Sequence, residues 1–288
     1  MTTSFDPSAA EPPRTAGQRL TDFGLALRAG VERLFRPVRP LASPALRIFP
    51  GWPERFAAAA LGLALVIAGM VYIDPVVIGV RAWTRGGWAF AWELVTDVGK
   101  SAWVLIPSGV LLLVILAVVT PARRFADRVM LALAARLAFV FIAVGGSGLI
   151  VTIVKRIIAR GRPRYFDEFG ALHFQFPTWQ ASYASFPSGH SQTAFAIALS
   201  FAALFPRFRN TFIVLAVIVA FSRVAVDAHY FTDIVAGSLW GAWFTVMTRD
   251  WFARRGLVFS PLPHRAPVPM PRHRLRQALA QVWRRLRG

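Results

Sequence analysis

Residues 103–120 read WVLIPSGVLLLVILAVVT, eighteen positions without a charge. A helix of that length rises about 27 Å, close to the ~30 Å hydrocarbon core of a bilayer. Pro121 and the Arg123-Arg124 pair stop the run. Outward from it lie further apolar runs of the same kind. Phe56 to Ile73 precedes it and is stopped by Asp74-Pro75. Leu137 to Val154 follows and is ended by Lys155, and then come Gln192 to Phe205, Thr211 to Phe221 and Ile234 to Met247. The last three are short and need flanking polar residues to reach membrane length. The pattern predicts an all-α fold, a polytopic membrane helix bundle of six transmembrane helices over residues 56–247. Tails of 1–55 and 248–288 flank it.

Composition agrees. The chain has 288 residues, 56% hydrophobic and 16% charged, with mean hydropathy +0.50. An ordinary globular chain has roughly 45–50% and 25%. These values exclude a disordered chain and argue against a soluble domain. The absence of cysteine excludes a disulfide framework, a thiolate metal site and a cysteine nucleophile. A net charge of +19 raises nucleic acid as a partner, but the charge sits in the wrong places. Eight arginines precede Phe56 and ten follow Met247, flanking the apolar middle. No nucleic-acid partner is expected.

The positive-inside rule then assigns the sides. Arg-rich tails place both termini in the cytoplasm, which demands an even number of spans. With the connections holding Arg123, Arg124, Arg128, Arg207 and Arg209, twenty-three basic residues fall on the cytoplasmic side and nine on the other. Residues 1–55 lack the apolar region of a cleavable signal, so the first span is expected to be an uncleaved anchor. Leu20, Phe23, Leu27, Val31 and Leu34 recur at helical spacing among arginines, as do Leu275, Leu279, Val282 and Leu286. Both stretches read as amphipathic helices held on the inner leaflet by anionic lipids. No internal repeat of fixed period is visible.

Three polar clusters interrupt the apolar pattern, each at an outer end of a span. They are Lys155 to Pro163, Phe186-Pro187-Ser188-Gly189-His190, and Ser222-Arg223 through His229 to Asp233. One outward-facing site can hold all three. Lys155, Arg162 and Arg223 outnumber the main carboxylate, Asp233, which is wrong for a divalent metal and right for a phosphate. Ser188 and Gly189 open a helix, where free backbone N–H groups favour an anion, and Gly189 lets it approach closely. His229 precedes Asp233 by four residues, so on a helix the two share a face and can hydrogen-bond. A carboxylate on one ring nitrogen leaves the other free to attack. His190, beside the anion site, suits a proton donor to a leaving oxygen. Singly, each residue also has an ordinary reading. Lys155 can stop a span, Ser188 can cap a helix, either histidine can be a packed polar residue, and Asp227 can pair with Arg223. Gly145, Gly146 and Gly148 permit close helix packing.

In order and spacing the three clusters resemble the type 2 phosphatidic acid phosphatase/haloperoxidase superfamily. Its pattern is Lys, six residues, Arg-Pro; then Pro-Ser-Gly-His; then Ser-Arg, five residues, His, three residues, Asp. Lys155 to Arg162-Pro163, Pro187 to His190, and Ser222-Arg223, His229 and Asp233 fit without departure. The resemblance implies that His229 is the nucleophile, oriented by Asp233, and that His190 protonates the leaving group and then activates water. It implies that Lys155, Arg162, Ser188, Gly189 and Arg223 bind the phosphoryl oxygens, with no metal and no cofactor. The expected protein is a multi-pass phosphatase of a bacterial inner membrane, its site facing the periplasm. Its substrate would be a lipid phosphate monoester or diphosphate: phosphatidate, phosphatidylglycerophosphate, undecaprenyl diphosphate or a lipid A phosphate. The alternatives are a lipid phosphotransferase, a vanadium-dependent haloperoxidase, and a non-catalytic lipid-binding or transport protein. The sequence sets no oligomeric state.

Overall fold

A backbone in hydrocarbon must satisfy its own N–H and C=O groups, so the apolar runs become helices. The computed structural model describes residues 15–35, 52–80, 89–118, 125–262 and 265–269. Its main helices are α1 (Ala16–Phe35), α2 (Trp52–Ala68), α3 (Ala89–Asp97), α4 (Ala102–Val118) and α5 (Phe125–Ile158). They continue with α6 (Gly189–Leu204), α7 (Arg209–Ala225) and α8 (Phe231–Arg254). A short hairpin of β1 (Phe259–Leu262) and β2 (Arg265–Pro269) follows. The molecule is an all-α polytopic membrane bundle.

Four stretches among the described residues are long and apolar enough to cross a bilayer: Ala60–Val77, Phe90–Ala117, Val129–Ile158 and Pro206–Ala225. The helices α6 and α8, read from sequence as the fourth and sixth spans, are not among them. α6 has 16 residues and lies between α5, α7 and α8. A helix enclosed by other helices need not be lipid-compatible, so buried Ser191, Gln192, Thr193 and Ser200 are tolerated there.

Two boundaries differ from the sequence reading. The Asp74-Pro75 pair does not stop the first run. The chain passes through a π-helical turn, Gly69–Ile73, into a helical turn at Asp74–Val77. Pro75 sits in the first turn of that segment, where a proline lacks nothing the helix needs. The π turn brings Gly69 so close to α8 that a Cβ there would stand 2.8 Å from Thr232 Cγ2. At the other boundary, α8 continues past Met247 to Arg254, and Phe259 of the hairpin is fully buried. The packed unit thus extends into the segment assigned to the C-terminal tail.

The α6–α8 contact positions the site. Gly237 and Gly241, four residues apart on α8, face the carbonyl oxygens of Ser188 and Gln192 on α6, and any Cβ would collide with that backbone. This is the small-residue spacing by which membrane helices approach closely. Gln192 crosses to α5, donating to Ser147 Oγ at 2.6 Å, while Trp240 of α8 donates to Ser147 O at 3.1 Å. Of the α5 glycines, Gly146 packs under Phe244 and Gly148 under Gln192. At the far end of α6, Leu204 joins Phe139, Phe252 and Phe259, whose rings meet edge to face at 5.6 and 4.9 Å from Phe139. Leu34 of α1 packs on this cluster, whereas Leu20, Leu27 and Val31 are exposed. The amphipathic stretch Leu275 to Leu286 lies outside the described residues.

Candidate functional site

The final turn of α5 carries Lys155, and the loop 159–187 leads from it to α6. That loop is pinned by backbone pairs: Gly161 N to His173 O at 2.8 Å, Arg162 N to Ser182 O at 3.0 Å and Ser185 N to Arg160 O at 3.1 Å. Ser188 N then donates to Asp233 O at 3.0 Å, which ties the start of α6 to the first turn of α8. All three sequence clusters therefore meet at one end of the bundle.

At the α6 start, the fully buried Ser188 caps the helix. Its Oγ accepts from Ser191 N at 3.4 Å and from Ser191 Oγ at 3.0 Å. The expected phosphate contact is thus engaged as a cap. A Cβ on Gly189 would lie 3.2 Å from Lys155 Nζ, so the ammonium sits over bare backbone at the helix start. That is a positive charge where the helix already favours an anion. His190 follows, backed by Gly99 in the α3–α4 turn, where a Cβ would stand 3.0 Å from the imidazole.

Arg223 ends α7, is 8% exposed and donates from Nη1 to Thr96 Oγ1. The N–H groups of Ala228 and His229 both donate to Arg223 O, at 3.1 and 3.2 Å, fixing His229 beside it. Sequence spacing placed His229 and Asp233 on one helical face. In the structure Tyr230 is the N-cap of α8, so His229 precedes the helix and Asp233 occupies its third position. Their separation, His229 Nδ1 to Asp233 Oδ2, is 3.6 Å, longer than a hydrogen bond, and Nδ1 is buried without a partner. The reason is that Oδ2 already accepts from Tyr230 N at 2.9 Å and from Ser185 Oγ.

Burial pushes the His229 imidazole down to about 4. Asp233 opposes that shift, while Arg223 and Arg162 add to it. The ring is neutral at pH 7, the state in which a nitrogen lone pair is available. Lys155, Arg162, Arg223, His190 and His229 lie close enough for their charges to act on one another. A cavity of about 380 Å³ opens beside Gly189 and His190 and runs between α4 and α5, walled by Leu105, Val144 and Leu149. It falls in the size range of ligand pockets. Among the described residues no group of three His, Asp or Glu could hold a metal ion.

A family model described as PAP2 superfamily matches residues 133–257, which include all three clusters. The chain is 38% identical over 179 residues to a lipid A 1-phosphatase of Rhizobium johnstonii, covering 61% of this chain and 72% of that protein. The chain belongs to the PAP2 superfamily. It is a membrane phosphatase, a phosphoric ester hydrolase. A lipid A 1-phosphatase of Rhizobium etli is 42% identical over 131 residues, 46% of this chain and 56% of that protein. Among solved structures, a transmembrane PAP2 type phosphatidylglycerolphosphate phosphatase from Bacillus subtilis matches with TM-score 0.48 and 20% identity. That match covers 68% of this chain and 94% of the other.

Sequence reading missed four residues around Asp233. Arg160 passed for one more outer basic residue and Asp74 for a span terminator, yet both are fully buried and paired 2.7 Å apart. Thr232 and Ser185 complete the surround. Asp74 had a legible signal, because an ionisable residue at membrane depth is by default a functional one.

Proposed function

We propose that this PAP2 phosphatase dephosphorylates a membrane lipid through a phosphohistidine on His229, and that its substrate is the 1-phosphate of lipid A. The observation that carries the chemistry is Lys155 Nζ lying over the open backbone of Gly189, with Arg223 and two histidines alongside. Such a cradle suits a phosphoryl group far better than a metal. The choice of lipid is supported by the two relatives named lipid A 1-phosphatase.

In this reading His229 Nε2 attacks phosphorus, the P–O bond to the lipid breaks, and His190 passes to the departing oxygen a proton that the phosphate monoester monoanion carries into the site. Water then attacks phosphorus while His190 takes its proton, the P–N bond breaks and inorganic phosphate leaves. Lys155, Arg162, Arg223 and the Gly189 backbone hold the phosphoryl oxygens as charge builds. Ser188 fixes the helix start that presents them, and Asp233 orients His229. Because the nucleophile must be neutral, activity falls as pH drops through the His229 value. The acid limb of kcat/KM is expected near pH 4, from the depressed value of about 4. A limb at the ordinary histidine value near 6.5 would contradict the buried, neutral nucleophile.

The test of function is phosphate release in detergent from lipid A, phosphatidate, phosphatidylglycerophosphate and undecaprenyl diphosphate, with and without EDTA. Lipid A is expected to turn over fastest, undiminished by chelator and blocked competitively by vanadate. Preference for another lipid would remove the substrate assignment. Loss in EDTA restored by Mg²⁺ would remove the metal-free mechanism.

The proposed setting is a bacterial inner membrane crossed six times, with both termini cytoplasmic and the site periplasmic. The basic tails hold anionic inner-leaflet lipids. The charge asymmetry supports this orientation, twenty-three basic residues against nine. The native chain has no cysteine, so introduced ones report cleanly. A Gln180→Cys variant, exposed on the loop beside the site, should react with an impermeant maleimide in intact spheroplasts. An Arg207→Cys variant, exposed at the other end of the bundle, should react only after lysis. The reverse pattern would put the site in the cytoplasm.

A further inference from the structure

We infer that Arg160 and Asp74 form a buried clamp that positions Asp233 behind His229 and offsets the charge that forms on that ring. Both are then positioning residues for the reaction. The inference rests on the reading of His229 as nucleophile.

The geometry is closed on every side. A guanidinium has five N–H donors, and Arg160 commits all of them to protein acceptors. Nε and Nη2 donate to Ala171 O at 3.0 and 2.8 Å. Nη1 donates to Thr232 Oγ1 at 2.9 Å and Asp233 Oδ1 at 2.7 Å. The remaining Nη2 bond goes to Asp74 Oδ2 at 2.7 Å. The guanidinium is 4.1 Å from the Tyr230 ring centroid, and the residue is 0% exposed. It has no donor left for substrate, unlike a phosphate-binding arginine.

Asp74 is equally committed. Its Oδ1 accepts from Thr232 N at 2.9 Å, and its Oδ2 accepts from Thr232 Oγ1 as well as Arg160. The clamp therefore joins the end of the first membrane run, the loop after α5 and the first turn of α8. It holds Asp233 by Oδ1 and leaves Oδ2 facing Nδ1 of His229.

Charge supplies the second argument. Two carboxylates and one guanidinium leave one negative unit in excess. When Nε2 of His229 takes the phosphoryl group and Nδ1 keeps its proton, the ring becomes cationic. The excess negative unit lies where that cation forms, in a dry site where charges act strongly. The other charged or titratable groups around His229 and Asp233 are Lys155 of α5, Arg162 of the loop, His190 of α6, Arg223 in the last turn of α7, Asp227 beyond it and Tyr230 at the α8 cap. The side chains of Arg160 and Asp74 hydrogen-bond to Ala171, Thr232, Asp233 and each other, so changing either alters one charge behind the ring and leaves the phosphate cradle in place.

The experiment measures the pH dependence of kcat/KM for full-length protein in detergent with p-nitrophenyl phosphate. Arg160→Gln strips the cation, leaves Asp233 unopposed and should move the acid limb up by about one pH unit. Asp74→Asn should move it down by a similar amount. The double variant removes one charge of each sign and should return the limb towards wild type. Each single variant should lower kcat on the order of 10²-fold, as expected when a reacting group is misplaced. If Arg160→Gln gives no monodisperse protein, Asp74→Asn and the double variant still supply the comparison. Wild-type limbs in every variant that folds would reduce the clamp to a folding pin. Trapping of a phosphoenzyme in wild type, lost in His229→Ala, is measured alongside. Its absence would bring down the nucleophile reading itself, whereas unchanged limbs with the phosphoenzyme present would bring down only the clamp.

Discussion

His229→Ala is expected to lower turnover at least ~10³-fold on every phosphate ester, because the covalent step then has no nucleophile. No other described group can replace it. Lys155 and Arg223 are cations, Lys155 with its Nζ over the Gly189 backbone, and His190, beside the start of α6, is the residue proposed to serve the departing oxygen. The phosphoenzyme should vanish with the activity. Because Nδ1 of His229 makes no hydrogen bond in the folded protein, its loss orphans no partner, and the stability cost is that of the cavity left by a buried ring. The measurement is single-turnover phosphate release together with acid-quench trapping of labelled enzyme. Residual turnover within tenfold of wild type would mean that water attacks phosphorus directly, with His229 only assisting.

The sequence made much of this site legible because phosphate chemistry needs few residue types in a fixed order. Lys155, Gly189, His190, Arg223 and His229 were each readable from charge, backbone freedom or nucleophilicity, and the fold does bring them together. The relation of His229 to Asp233 was not. An i,i+4 spacing implies a shared helical face only if both residues are in the helix, and the Tyr230 cap moves His229 outside it. Arg160 was obscured by its neighbours, since nothing local separates a buried arginine from a headgroup-facing one in a run of basic residues. What buries it is Asp74, 86 positions away. The span count has a similar origin. Hydropathy detects helices that face lipid, and α6 is enclosed by α5, α7 and α8. The glycines were half readable: those of α5 stood out in an apolar run, whereas Gly237 and Gly241 carry the closer contact, backbone against backbone.

His190→Ala should separate the two halves of the reaction. With a lipid phosphate the leaving group is a poor alkoxide, so loss of the proton donor should cost about 10²- to 10⁴-fold in the first step. With p-nitrophenyl phosphate the departing phenolate needs little protonation, and that first step should run close to the wild-type rate. The second step cannot be spared in either case, because the same imidazole must take the proton from water. The variant should therefore release one equivalent of p-nitrophenolate per enzyme in a burst and then stall with phosphohistidine accumulated. Gly99 makes the test clean: it backs the imidazole with no side chain of its own, so the alanine leaves a gap open to the adjoining cavity without moving the helix. Rapid-quench kinetics on both substrates decide the matter. Equal damage to the first step with alkyl and aryl esters, and no accumulated phosphoenzyme, would reassign His190 to holding the phosphoryl oxygens alongside Lys155 and Arg223.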